Sequence, residues 1–208
     1  MEPVSYASMP LAELLDAFSS RDAVPGGGSA AALAGALGAS LLLMTAALPK
    51  TKTGSEAEKS ELAAASERIL PLRNALRDLV DRDSQAYGQV VEAFRLANVS
   101  EDDKAKRRAA IGAAMRAATD TPLDIMRSCR EALRDAVVVA TNVQRNAASD
   151  VGVAIELLVA GLHGARLNVA INLSASQDAD HTVKVNDEAT VLERDATLDA
   201  ESARQRLR

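Results

Sequence analysis

The apolar positions recur almost everywhere at the three- and four-residue spacing of a helix face. Behind Pro10, Leu11, Leu14, Leu15 and Phe18 share one face of a short first helix. From 29 to 48 the chain carries no charge and reads as Ala, Gly, Ser and Leu all round. That pattern predicts a helix buried on several sides, not one with a solvent face. Over 55–96 a single stripe collects Leu72, Leu76, Leu79, Val80, Asp83, Tyr87, Val90 and Phe94, so one long helix is expected, kinked or split at Pro71. Ser100 followed by Glu101, Asp102 and Asp103 is a helix start. That helix is expected to run to about 119, to be interrupted or kinked at Pro122, and to resume to about 142. Two further helices are predicted over 149–173 and 183–204. No segment alternates with the period of a strand. The expected fold is all-α, a bundle of about six or seven helices, some kinked by proline, in a single domain over 1–208.

Composition sharpens this picture. Apolar residues make up 48% but aromatics only 2%, so the core must be built from small and aliphatic side chains that let helices approach closely. A net charge of −5 argues against nucleic acid or an anionic membrane as partner. The uncharged stretch 29–48 is long enough to cross a bilayer. Its alanines, glycines and serines gain little from lipid, and a buried central helix is the expected reading. No basic segment followed by an apolar core opens the chain, and the one cysteine, Cys129, permits no intrachain disulfide. A cytoplasmic protein is expected, with Cys129 as a buried small hydrophobe. Cys129, His163 and His181 show no metal-ligand spacing.

Four places could carry chemistry. Pro25-Gly26-Gly27-Gly28 turns sharply into the uncharged helix, which lets a ligand or another chain come close. It lacks the Lys-Ser/Thr of a nucleotide-binding loop, and a plain helix-entry turn explains it as well. Lys50 and Lys52 follow the same helix and could hold a carboxylate-bearing ligand, or be ordinary loop lysines. Asp83 lies on an apolar face with Tyr87 one turn away, as an ion-paired structural carboxylate or as an acid with a raised pKa. Asp81, on the other side of the helix, is expected to be solvated. Finally, the helix over 149–173 aligns Asp150, Ala154, Leu157, Gly161, Ala165, Asn168 and Asn172, with Asn146 just before it. Two asparagines on one face suit a polar pocket, or a tie between helices.

The order of these features is more specific than any one of them. Val24-Pro25-Gly26-Gly27-Gly28-Ser29 opens the Ala/Gly helix, and Pro49-Lys50-Thr51-Lys52 follows it. Leu79-Val80-Asp81-Arg82-Asp83-Ser84-Gln85-Ala86-Tyr87 and Ala117-Ala118-Thr119-Asp120-Thr121-Pro122 come next. Asn146-Ala147-Ala148-Ser149-Asp150-Val151-Gly152 and Asn168-Val169-Ala170-Ile171-Asn172 close the series. Over about 8–175 this resembles the cyclodeaminase/cyclohydrolase family. The resemblance implies an all-helical homodimer that takes a tetrahydrofolate derivative as substrate, with neither metal nor redox cofactor. Two reactions occur in that family. One hydrolyses 5,10-methenyltetrahydrofolate to 10-formyltetrahydrofolate. The other closes 5-formiminotetrahydrofolate with release of ammonia. Relatives often carry a longer lysine run than Lys50 and Lys52.

The cyclohydrolase is the favoured expectation, because no formiminotransferase domain accompanies the chain. The cyclodeaminase and a non-catalytic folate-binding dimer are the alternatives. Asp83 is the first candidate for the base that takes a proton from water, and Asp150 the second. Tyr87, Asn168 or Asn172 would orient the water or the pterin edge, with Asn146 lining the site. Lys50 or Lys52 would meet the glutamate tail, and Pro25 with Gly26, Gly27 and Gly28 would admit the flat ligand.

Overall fold

A computed structural model describes residues 5–48, 54–176 and 178–208. Among them are six α-helices, two short 3-10 turns and no strand: α1 Leu11–Ser19, α2 Gly27–Ala47, α3 Glu56–Arg95, α4 Glu101–Asn142, α5 Ala148–Ala175 and α6 Ala179–Arg206. The all-α bundle is as expected. Lys50 and Lys52 lie outside the described residues.

The two long helices start where their sequence provides reciprocal caps. The Ser55 hydroxyl accepts from the Glu58 amide at 3.2 Å, and the Ser55 amide donates to Glu58 Oε2 at 2.7 Å. Ser100 and Asp103 repeat the arrangement at the start of α4. Asp178 accepts from the His181 amide and starts α6 at Ala179, four residues before the apolar pattern suggested.

Neither proline divides its helix. Pro71 is exposed within α3, so the Glu67 carbonyl it leaves unpaired faces water. Pro122 is buried, and the carbonyl it strands is that of Ala118. Asn172 on α5 donates its amide to that oxygen at 2.7 Å. An interior proline is thus tolerated because a side chain from the next helix replaces the missing donor.

α2 lies between α3 and α5, with α4 behind it. α2 and α5 run antiparallel in backbone contact, Gly27 lying near Asn168 at one end and Gly38 near Ala154 at the other. The contact depends on glycine. A Cβ on Gly38 would fall 2.8 Å from the Ala154 carbonyl oxygen, and one on Gly161 would fall 2.8 Å from that of Ala31. Behind the crossing, the Cys129 sulfur of α4 would lie 2.7 Å from a Cβ on Gly35 and 3.2 Å from one on Gly161. Cys129 is fully buried, and burial pushes its thiol up to about 12, so it fills space and is not a thiolate at neutral pH.

α6 closes the other side. Arg127 on α4 pairs with Glu188, and Arg204 on α6 reaches Glu156 of α5. Away from α4, α2 and α5 each leave an apolar stripe partly exposed. On α2 it comprises Leu33, Leu37, Leu41 and Met44, with Leu37 51% exposed. On α5 it comprises Val153, Leu157, Leu167 and Ile171, with Leu167 72% exposed.

Candidate functional site

The N-terminus of α2 receives a carboxylate. Gly28 and Ser29 form its first turn, whose amides have no partner within the helix. Asp83, from the apolar face of α3, accepts from the Ser29 amide at 2.8 Å through Oδ2. The Ser29 hydroxyl lies 3.1 Å from the same oxygen, 2.8 Å from the Val80 carbonyl and 3.1 Å from the Ser84 hydroxyl. Ser29 and Ser84 are both buried, so this small polar cluster is satisfied internally.

Gly28 has a specific steric role. A Cβ there would sit 2.5 Å from the Asp83 carboxyl carbon, so any side chain would displace the carboxylate from the helix end. Gly27 is exposed and faces α5, where a Cβ would stand 3.5 Å from Asn168 Nδ2. Gly26 supplies the extended residue before the helix, and Pro25 is buried beneath it after a cis Val24–Pro25 peptide.

Two opposed effects act on Asp83. Half-burial disfavours its charge and raises its pKa above the ordinary carboxylate value; this is the larger effect. The hydrogen bonds from Ser29 pull the other way. No cation among the described residues pairs with it. The result is a carboxylate more basic than a solvated one and fixed in direction, which suits proton transfer.

The other candidates divide between two ends of the molecule. Asn168 and Asn172 share the Asp83 end. Asn168 donates to its own helix at Gly164 at 2.9 Å, while Asn172 holds the Ala118 carbonyl. Tyr87 lies one turn beyond Asp83 and is 47% exposed, with its ring available to a ligand. Asp150, in the first turn of α5, and Asn146, exposed in the 3-10 turn before it, lie at the opposite end of the α2–α5 pair. α2 has 21 residues, so the two ends are about 30 Å apart within one chain.

Ser29 and Ser84 were not singled out from the sequence, although both stand inside quoted motifs. Their signal is position: one follows a glycine run into a helix, and the other follows the core-facing aspartate. Asp81 is not simply solvated. It accepts from the Ser5 hydroxyl at 2.7 Å and the Ala7 amide at 3.1 Å, tying the N-terminal segment to α3.

Comparison with known proteins bears on this geometry. Residues 10–191 match the family described as formiminotransferase-cyclodeaminase. The methenyltetrahydrofolate cyclohydrolase of Methylorubrum extorquens is 37% identical over 164 residues, 79% of each chain. The formimidoyltransferase-cyclodeaminase of Sus scrofa is 31% identical over 210 residues, which are 98% of this chain and 38% of that longer protein. The crystal structure of formiminotetrahydrofolate cyclodeaminase from Thermotoga maritima shares the fold with a TM-score of 0.85. It is 25% identical, with 96% of each chain covered.

Proposed function

The chain belongs to the formiminotransferase-cyclodeaminase family, and we propose that it hydrolyses 5,10-methenyltetrahydrofolate to 10-formyltetrahydrofolate with Asp83 as the base. The likeness to a methenyltetrahydrofolate cyclohydrolase over 79% of each chain supports the reaction. The observation that carries the residue assignment is the Asp83 carboxylate, seated on the α2 N-terminus with no cation among the described residues beside it.

The methenyl carbon between N5 and N10 is cationic. A carboxylate beside it stabilises the bound substrate and takes one proton as water adds to the carbon. The N5–C bond of the resulting tetrahedral carbon then breaks. N5 keeps its electron pair and gains a proton, while the hydroxyl on carbon loses one as the formyl group forms. Water thus supplies the formyl oxygen and the N5 proton, and one proton is released overall. No electrons change hands and the substrate is already electrophilic, so the reaction as proposed requires neither a redox cofactor nor a metal. Tyr87 and Asn168 stand where they would orient the pterin edge or the water. Asn172 adds rigidity through Ala118.

The protein works in the cytoplasm as a homodimer, without nucleic acid or membrane as partner. The net charge of −5 supports the absence of nucleic acid. Two helical segments, Gly27–Ala47 and Arg145–Ala175, are long and apolar enough to cross a membrane. They instead pack on each other within the bundle, which supports a soluble reading. The resemblance to the Thermotoga maritima cyclodeaminase supports a second reaction, closure of 5-formiminotetrahydrofolate with ammonia release.

The test is loss of the near-ultraviolet absorbance of 5,10-methenyltetrahydrofolate, measured against the uncatalysed rate. Rapid loss that depends on wild-type protein and is abolished by Asp83→Asn is expected. Acceleration by Asp83→Asn equal to wild type would remove Asp83 from the mechanism. Ammonia release from 5-formiminotetrahydrofolate without hydrolysis of the methenyl form would establish the second reaction.

A further inference from the structure

One face of α3 continues past the helix that covers it. Up to Asp83 that face lies against α2: Leu76 sits beside Gly35, and the Val80 carbonyl accepts from the Ser29 hydroxyl. α2 begins at Gly27, level with Asp83, while α3 runs on to Arg95, about 18 Å further. The residues that follow Asp83 on the same face are Tyr87, Val90 and Phe94, spaced at three and four. Tyr87 and Phe94 are exposed. α4 adds the half-buried Ile111, five whole turns before Cys129 and so on the side of α4 that faces α2. An apolar strip therefore leads from the proposed base toward the tip of the α3–α4 hairpin, and no carboxylate follows Asp83 on this face of α3. Glu92 turns to the opposite side, where it lines a groove with Gln89 and Ala113.

The strip ends in two cations. Arg107 lies over the Phe94 ring, 5.6 Å from its centroid, and donates to the Phe94 carbonyl at 3.1 Å. Arg108 is exposed, one turn beyond Ile111 on the same side of α4. Neither has a carboxylate partner among the described residues. Further along the same helix, Arg116 and Arg127 are paired with Asp178 and Glu188. Two adjacent arginines without counter-charges, at the end of an apolar strip, fit a ligand with an apolar body and an anionic end.

We propose that this strip holds the part of the folate that does not react. The aminobenzoyl ring runs along Tyr87, Val90 and Phe94, and the glutamate carboxylates meet Arg107 and Arg108. The assignment rests on the folate reading of the site and adds to it the residues that select a substrate with an acidic tail. The lengths agree. With the carbon between N5 and N10 at Asp83, an extended substrate places its two carboxylates about 10 and 13 Å away. Tyr87 is about 6 Å and Phe94 about 16 Å from Asp83 along the helix, and an arginine side chain at the level of Phe94 spans the difference. The tail is held alike in the ground state and the transition state, so these arginines act on KM rather than kcat.

Two substrates that differ only in the tail test this: 5,10-methenyltetrahydrofolate and 5,10-methenyltetrahydropteroate, which lacks the glutamate. Wild-type protein should show a KM about tenfold lower for the folate. Arg108→Gln should raise the folate KM by about tenfold without lowering kcat, and the loss should be confined to the substrate that carries glutamate. Arg107→Gln should act in the same way, and the two together should remove the preference. A loss shared equally by both substrates would mean that the arginines only hold the hairpin, and would overturn the tail site. So would a wild-type protein with no preference, or a preference that survives both variants, as it would if Lys50 or Lys52 held the tail.

A second measurement does not depend on turnover. By calorimetry, tetrahydrofolate should bind wild-type protein about tenfold more tightly than tetrahydropteroate, and Arg108→Gln should narrow that gap. Binding that depends on Arg108, without turnover of either the methenyl or the formimino substrate, would remove the enzymatic reading and uphold the tail site. Turnover of the methenyl substrate with no dependence on either arginine would overturn the tail site and leave the reaction standing.

Discussion

Two aspartates of the α3–α4 hairpin turn inward, and their surroundings differ in the one respect that matters for chemistry. Asp135 on α4 is fully buried and receives Arg68 Nε at 2.9 Å and Nη2 at 2.7 Å, both on Oδ1. Asp83 on α3 is half-buried and, among the described residues, receives the amide and hydroxyl of Ser29. Asp135 is held by a full cation on Oδ1, which fixes α3 to α4, while its Oδ2 is buried without a partner. Asp83 is held by neutral donors at a helix end, so burial raises its affinity for a proton. Burial of a carboxylate alone does not mark a chemical group; the kind of partner decides.

The sharpest way to break this comparison is to neutralise each aspartate in turn. Asp83→Asn keeps the size and the contact with Ser29 but removes the base. Turnover of 5,10-methenyltetrahydrofolate should fall by about 10²–10⁴-fold, the usual worth of a positioned acid or base. Asp135→Asn should retain wild-type turnover per folded molecule while lowering the denaturation midpoint. If the two variants exchange these outcomes, the cation criterion fails.

Gly28→Ala comes next. Its Cβ would lie 2.5 Å from the Asp83 carboxyl carbon, so the carboxylate must leave Ser29 or α3 must shift. A loss of turnover by about 10²-fold is expected, as for misplacement of a catalytic group by an ångström. Gly112→Ala on α4 meets nothing within 4 Å. It should keep turnover and gain up to about 1 kcal/mol in stability from helix propensity. Equal turnover in the two alanine variants would show that the seating of Asp83 under Gly28 is unimportant.

The structural aspartate makes its own prediction. Arg68→Met leaves Asp135 buried without its cation. Removing one member of such a pair typically costs about 3–5 kcal/mol. Arg68 itself is 45% exposed, and solvent around it places the expected loss at the lower end of that range. Urea denaturation measures it, and a loss below about 1 kcal/mol would mean that the pair does not fasten the hairpin.

Much of this was legible in the sequence, and the reason differs from place to place. The stripe through Leu76, Leu79, Val80 and Asp83 is a local periodicity, so it predicted both α3 and the inward aim of Asp83. Pro122 appeared as an interruption because its remedy is not local: the Asn172 amide that satisfies Ala118 comes from another helix, more than fifty residues later. Asp135 was passed over for the same reason, since the Arg68 that explains it stands on α3. Asp150 and Asn168 share a face in the sequence pattern and stand at its two ends, and the unbroken α5 turns that spacing into about 27 Å. Periodicity reports direction around a helix, and the three-dimensional packing reports what waits there.

The smallest effect is the most direct test of the electrostatic contrast. Burial raises the Asp83 pKa above its ordinary value of 3.8, so the folded chain holds this proton more tightly than the unfolded chain does. Below that value both states are protonated, and the group's full contribution to stability is present. As pH rises, the unfolded chain loses the proton first, and stability declines until the folded carboxyl has also ionised. Asn at this position carries no such penalty. The stability of Asp83→Asn relative to wild type should therefore grow as pH is raised from about 3 and level off above the folded pKa. Urea midpoints of both proteins across that range measure it. Asp103, whose pKa is lowered by its Ser100 cap, is common to both proteins and cancels in the difference. A difference that shrinks with rising pH would mean that the Ser29 donors outweigh burial. Asp83 would then be another structural carboxylate, like Asp135.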